Sequence, residues 1–493
     1  MNAALALPIV APLLGAAISI AIRRRVIQRV VSFTALTISL VASIIIVVDA
    51  SQGTDIAVSR LGGWPANIAI TLVADRLAAA MLLISIAVLM IVLVFAVGQR
   101  ASDESTSIYH PVYLILAAGV SQAFLAGDLF NIFVAFELLL MSSYVLLTLD
   151  GTDQQIRSGI TYVVLNIVKS LILLSAVGLV FAATGTINLA ELPDRLATLP
   201  DGVQMGLNLM LLVAFGIKAS VFPLYFWLPD SYPAAPSSVT AVFAGLLTKV
   251  GVYGLIRTET LLFPGQQADL LIGIAGFTMV IGVIGAISHT QMKRVLSFHI
   301  VSQIGYIVMG LALGTKAAFS AMVLYLMHHI PVKTSLFLVE GIIEKETEAS
   351  SFDKVGGLAR RSGYLALLFM IPAFSLAGLP PFSGFLAKYT LVRAGFDDGQ
   401  WVIITIAIAT SLLTLISMTK IWIGLFWGEV KPEVPPSRVG ILRHHRLMST
   451  STVVLIMCTV GVALFAGPLY NYCLGAAEQI LDPMMYITAV RNS

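Results

Sequence analysis

Six basic side chains lie where lysine is costly to bury. Lys169, Lys218, Lys249, Lys333, Lys388 and Lys420 all fall inside long apolar runs, and a lysine at the centre of a membrane helix costs about 2.5–3.5 kcal/mol on insertion scales. They have company. Glu137 sits in GDLFNIFVAFELLLMSSY, nine residues after Asp128 and so roughly 14 Å along a helix, where a carboxylate must be neutral, paired or hydrated. His328 and His329 stand in YLMHHIPVKTSLFLVEG, with Pro331 loosening the chain before Lys333; His329 and Lys333 are four apart and share a helix face. Histidine titrates near neutral pH, and desolvation lowers the pKa of lysine. Glutamate, lysine and histidine together can therefore pass a proton, and that is the chemistry this set is expected to perform. The plainer reading, in which each charge merely satisfies an internal pair or a broken backbone, accounts for one such lysine better than for five with a glutamate beside them.

These residues are carried on membrane-spanning helices. Of 493 residues, 58% are hydrophobic and 11% charged, against roughly 25% charged in soluble chains, and the mean hydropathy is +0.94. Apolar runs of about 20 residues match a hydrocarbon core of roughly 30 Å, and lipid tolerates such runs only as helices. They fall at 3–22, 28–48, 72–98, 110–126, 129–148, 157–183, 204–228, 236–260, 268–288, 294–313, 317–343, 363–395, 401–427 and 450–474. The expectation is an all-α polytopic membrane protein with about fourteen spans. The first run precedes Arg23, Arg24 and Arg25 rather than following a basic segment, so it is read as a retained helix and not as a signal peptide.

Orientation follows from lysine and arginine, which are retained in excess in cytoplasmic loops. Sixteen of the 29 basic residues fall in odd-numbered connections, among them Lys293, Lys431, Arg438 and Arg443. Seven fall in the others, including Arg76 and Arg257. Both termini are therefore expected to face outward. The six that remain are the embedded lysines; Lys420, near a cytoplasmic end, is expected to snorkel, and Lys169 is an accessory candidate.

Two spans are punctuated alike. KASVFPLYFWLPD (Lys218 to Asp230) and AGLPPFSGFLAKY (Ala377 to Tyr389) each place proline inside an apolar run with a lysine nearby. Proline removes a backbone donor and clashes with the preceding turn, so spans 7 and 12 are expected to break there. Freed carbonyls and trapped water at the first break would hydrate Lys218. Breaks five spans apart point to two inverted five-helix repeats with a working site near the midplane. The expected divisions are 1–109 (helices 1–3), 110–262 (first repeat, helices 4–8), 263–427 (second repeat, helices 9–13) and 428–493 (cytoplasmic loop, helix 14 and tail).

Other chemistry has little support. Cys458 and Cys473 show no CxxC spacing. Adjacent histidines point about 100° apart on a helix and lack a third ligand, which disfavours a metal site. No HExxH, P-loop or nucleophile elbow occurs, and the dispersed basic residues, at net charge +3, give no nucleic-acid footprint. No cofactor and no enzymatic site are expected.

The segments GDLFNIFVAFELLLMSSY, KASVFPLYFWLPDSYPAAPSSVTAVFAGLLTKVGVYGLIR, MKRVLSFHIVSQIGYIVMG, HHIPVKTSLFL and AGLPPFSGFLAKY resemble the family shared by antiporter-like subunits of respiratory complex I and Mrp-type multisubunit sodium/proton antiporters, over nearly the whole chain. The resemblance implies fourteen core helices, inverted five-helix repeats and a central hydrophilic axis in a bacterial cell membrane. It also implies partner membrane subunits, protons and sodium as the ions exchanged, and no nucleic acid. Glu137 and Lys218 match the family's glutamate and lysine pair, Lys249 its connecting position and Lys388 its terminal one. Lysine at 388 departs from the M-type complex I subunit, which carries glutamate there; the N type carries lysine. The doubled histidine leaves either His328 or His329 to face the axis. A long extra helix after the fourteenth run, as in the L-type subunit and the larger Mrp subunit, is not expected. Rival expectations are a redox-driven pump module of complex I or a membrane hydrogenase, a passive scaffold, and a self-sufficient solute transporter.

Overall fold

A computed structural model describes residues 2–53, 56–62, 70–100, 106–429 and 445–493; Lys431, Arg438 and Arg443, counted above in a cytoplasmic loop, lie outside the described residues. The chain runs α1 (Asn2–Ala21), α2 (Arg25–Gln52), β1 (Ala57–Leu61), β2 (Ile70–Ala74), α3 (Arg76–Gln99), α4 (Tyr109–Leu125), α5 (Leu129–Leu147), α6 (Asp153–Thr184), α7 (Asp201–Ala219) and α8 (Trp227–Ser231). It continues through α9 (Ser237–Leu262) and α10 (Ala268–Ser288), then α11 (Met292–Leu313), α12 (Lys316–Thr347), α13 (Gly363–Ala377) and α14 (Ser383–Asp397). It ends with α15 (Trp401–Trp427), α16 (Arg446–Leu464), α17 (Ala466–Leu481) and α18 (Pro483–Arg491).

Twelve of the described helices are long and apolar enough to cross a membrane. The two other expected spans appear as the 17-residue α4 and as the pair α13 and α14. Helix starts follow local chemistry: Asp75, Asp128, Thr152, Thr315 and Ser362 each accept a hydrogen bond from a first-turn amide of the helix they precede, satisfying a donor that would otherwise be orphaned.

Both expected breaks are present. Helix α7 ends at Ala219, where Ser220 takes the left-handed conformation with φ 62°, and α8 begins only at Trp227. Helix α13 ends at Ala377 with Gly378 at φ 86°, and α14 begins at Ser383. Each break contains a cis prolyl bond, Phe222–Pro223 and Pro380–Pro381.

Two expectations are corrected. The run at 450–474 is two helices meeting at Phe465, because Pro468 lacks the N–H needed to continue α16. The run beginning at 72 starts in a strand: β1 and β2 form an antiparallel hairpin with Ala57 opposite Ala74, so the fold is helical with one small hairpin. Helix α12 carries Pro331 inside it and is continuous over 32 residues.

The core is a bundle within a bundle. The most apolar stretches of α9, α11 and α12 are 100%, 94% and 100% buried, against 33% to 39% for α1, α2, α6, α15 and α16, whose exposed leucine, isoleucine and valine side chains form the apolar outer face. Helix α12 packs against α9, α11, α14, α16 and α17. All five basic or histidine positions expected on α9, α12 and α14 are therefore inside.

Candidate functional site

Helices α5, α6 and α7 hold one end of the site. Glu137 on α5 is half-buried and accepts a hydrogen bond from Ser170 of α6. Lys169, next to that serine, is fully buried, with Nζ 5.1 Å from the Phe136 ring centre. Lys218, in the last turn of α7, is also fully buried; Nζ has no hydrogen-bond partner among the described residues and lies 6.0 Å from the Tyr162 ring. Glu137 and Lys218 are thus not in direct contact, although Lys218 feels the charges of both Glu137 and Lys169. Lys169, an accessory candidate in the sequence, belongs to this cluster as fully as Lys218.

The carbonyls freed at the first break do not solvate Lys218. Ile217 O accepts from Trp227 Nε1 at 2.9 Å, and Gly216 O from Val221 N at 3.2 Å. The chain closes its own break there. The second break behaves as the sequence led one to expect of the first: Lys388 Nζ donates to Leu376 O (2.9 Å), Ala377 O (3.2 Å) and Ser411 Oγ (3.1 Å), and lies 5.1 Å from the Tyr306 ring.

Between these ends stand Lys249 and the histidines. Residues 243–247 of α9 form a π-helical turn, a departure that frees carbonyls and recurs at functional sites. Lys249 Nζ donates to Ala244 O in that turn at 2.6 Å. Lys333 Nζ donates to Leu296 O of α11 at 3.0 Å. His328 Nδ1 is 2.9 Å from Ser383 Oγ, which is 3.0 Å from Ser375 Oγ; this ring joins α12 to the second break. His329 has no hydrogen-bond partner on either ring nitrogen among the described residues and feels Lys249, Lys333, His328 and Lys388. Both histidines face the interior, His329 toward the lysines and His328 toward the serines. Tyr325 binds Gln303 Oε1 at 2.5 Å and stacks on Tyr306, centroids 5.4 Å apart, which continues the polar row toward Lys388.

Three features escaped the sequence reading. His299 on α11 is fully buried, lies 2.9 Å from Ser417 Oγ, and is within electrostatic reach of Lys333 and Lys388; a histidine inside an apolar run was the available signal. Lys293, counted as a loop residue, is buried in the first turn of α11, where Nζ meets Glu344 at 2.8 Å. Ser237 donates to Glu344 (2.5 Å) and to the fully buried Glu340 (3.2 Å). Arg257, also counted as a loop residue, is buried in a bidentate pair with Asp75, both contacts at 2.6 Å. Lys420 is half-buried, and its Nζ reaches Ile287 O (2.6 Å) and His289 O (2.9 Å), capping the end of α10. No group of three His, Cys, Asp or Glu side chains fit to hold a metal occurs among the described residues.

The arrangement is a buried row of titratable nitrogens, several of them unpartnered, running from α6 and α7 through α9 and α12 to α14. A polar group buried without a partner costs about 1–3 kcal/mol, so such a row is tolerable only if water enters it. Water between groups that can each gain or lose a proton makes a relay.

Comparison with known proteins agrees with this architecture. Residues 126–414 match the model of the family described as NADH:quinone oxidoreductase/Mrp antiporter, transmembrane. The chain is 41% identical to the D subunit of the Na(+)/H(+) antiporter of Alkalihalophilus pseudofirmus and 36% identical to that of Bacillus subtilis, each over 99% of both chains. A chain of the Mrp complex from Dietzia sp. superimposes with a TM-score of 0.93 at 32% identity, covering 99% of this chain and 100% of that one. Respiratory complex I from Thermus thermophilus gives 0.75 at 20% identity, covering 95% and 98%, a likeness of fold alone. With the family matched over the part of the chain that holds the lysine row, and relatives aligned from end to end, this chain belongs to the NADH:quinone oxidoreductase/Mrp antiporter transmembrane family.

Proposed function

We propose that the chain is the D-type subunit of a multisubunit sodium/proton antiporter and that protons move through it along Glu137, Lys169, Lys218, Lys249, the His328/His329/Lys333 cluster and Lys388, bridged by water. The observation that carries this reading is the row itself: Lys169 and Lys218 Nζ, His328 Nε2 and both His329 nitrogens are buried without partners among the described residues. A static scaffold has no use for such atoms. Because Glu137 and Lys218 are electrostatically coupled without touching, a change in their separation would alter the lysine's proton affinity and gate the row. The reading makes the chain a transporter and not an enzyme. It includes both termini on the outer side of a bacterial cell membrane, two inverted five-helix repeats at 110–262 and 263–427, and companion membrane subunits; the row itself carries protons. Glu137→Ala and Lys218→Ala, each in the assembled complex, are expected to abolish cation-driven proton exchange in everted vesicles while the subunits still copurify. Normal exchange in either variant refutes the reading.

A further inference from the structure

Helix α9 carries a second titratable group besides Lys249. Glu259 lies ten residues on, about 15 Å along the helix, inside a second π-helical turn over residues 258–262. It is 5% exposed. Its Oε1 has no hydrogen-bond partner among the described residues, and the Asn208 side chain of α7 lies beside the carboxylate. Glu259 lines a partly open cavity of about 390 Å³ together with Thr260, Gln267, Leu311, Phe319 and Ile480, which places it among the adjoining ends of α9, α10, α11, α12 and α17. At about 30 Å³ of liquid volume per water, the cavity has room for on the order of ten waters.

The charged clusters at the two ends of α9 are paired, except for Glu340 Oε1, which is buried without a partner among the described residues. Arg257 and Asp75 satisfy one another in a bidentate pair; at the opposite end of α9, Ser237 and Lys293 occupy Glu344. Glu259 combines a buried free oxygen, a cavity in front of it and a place on the helix that carries Lys249, a conjunction that Glu340, with no such cavity beside it, does not share among the described residues. An ionised carboxylate in that position is costly unless water or a proton reaches it, and the cavity has room for the first.

We propose that Glu259 is the group through which the relay exchanges protons with water at this end of the bundle. The Lys249 ammonium gives up one proton through bridging water and becomes a neutral amine; the Glu259 carboxylate accepts it and becomes a carboxylic acid. That acid then releases the proton to water in the cavity and returns to carboxylate. The reverse sequence serves uptake. This rests on the proton row proposed above.

The test uses the complete complex in everted vesicles. Glu259→Gln keeps shape and removes the titratable oxygen, so exchange is expected to fall about 100-fold, the low end of what a positioned proton-transfer group contributes; Glu259→Asp, which keeps the carboxylate, is expected to restore most of it. Accessibility is read separately by Glu259→Cys with Cys458 and Cys473 replaced by serine. The membrane-impermeant reagent 2-sulfonatoethyl methanethiosulfonate is expected to label that thiol from one side only. Exchange at the normal rate in Glu259→Gln, or no labelling from either side of the assembled complex, overturns the inference. Lys218→Ala run in parallel separates the two claims: if it abolishes exchange while Glu259→Gln does not, only the role of Glu259 falls; if neither affects exchange, the row itself falls.

Discussion

Gly251 decides how closely the two lysine-bearing helices α7 and α9 can approach. A Cβ built at Gly251 would lie 2.5 Å from Ala219 N, 2.7 Å from Lys218 C and 3.0 Å from Ala219 Cα. These are backbone atoms and cannot rotate away. Ordinary contact begins at 3.4 Å, so Gly251→Ala must displace α9 from α7 by about 0.9 Å at the residue that carries Lys218. Overpacking of this kind costs about 1–3 kcal/mol, offset by about 1 kcal/mol from the better helix propensity of alanine. The net destabilisation, about 0–2 kcal/mol, leaves the complex assembled. The functional cost is larger, because a displacement of about 1 Å between groups that exchange a proton is worth up to about 100-fold in rate. Measured by acridine-orange quenching in everted vesicles, with copurification as the assembly control, Gly251→Ala is expected to lower exchange by one to two orders of magnitude. Gly178→Ala and Gly273→Ala, where a Cβ meets nothing within 4 Å, are expected to leave exchange unchanged. Normal exchange in Gly251→Ala would refute the argument that the Lys218 to Lys249 spacing is set by this contact.

Three more outcomes follow from the same geometry. Lys388→Arg keeps a cation beside Leu376 O and Ala377 O but introduces a guanidinium that does not deprotonate, so exchange is expected to drop about 100-fold with assembly intact; retained exchange would mean that Lys388 need not lose its proton. Asp75→Ala leaves Arg257 buried without its partner and is expected to cost about 3–5 kcal/mol, read as a lowered unfolding midpoint in detergent, with the exchange rate per assembled complex unchanged. Lys420→Met uncaps Ile287 O and His289 O and is expected to cost about 1–3 kcal/mol without loss of exchange, since this lysine closes the end of α10 and stands outside the row.

The sequence made the interior of the membrane legible and its edges illegible. Lys218, Lys249, Lys333 and Lys388 stand out because lysine in the middle of an apolar run has few structural excuses, and proline beside two of them marks the breaks where α7 and α13 end. Arg257 and Lys293 look like ordinary loop residues, because a basic side chain near the end of an apolar run usually reaches water. Only the tertiary arrangement shows that Asp75 meets Arg257 in the interior and that the partly exposed Glu344 meets the buried Lys293. The same ambiguity hid Glu259 at the end of its run. The contacts around Glu137 and Lys218 were hidden for a related reason: spacing along a chain cannot show that Ser170 reaches the carboxylate, or that Trp227 takes the carbonyl freed at the break. The end of α16 at Phe465 was readable in principle, since Pro468 follows it, but the apolar residues on either side conceal the joint.

The central claim is that these lysines move protons rather than hold helices together. Replacing Lys218, Lys249 and Lys388 together with methionine keeps length and apolar bulk while removing every titratable nitrogen at those positions, and the exchange rate of the purified, fully assembled complex in sealed vesicles tests it most directly. The account predicts exchange at background; exchange at the normal rate would contradict it and leave the chain a scaffold.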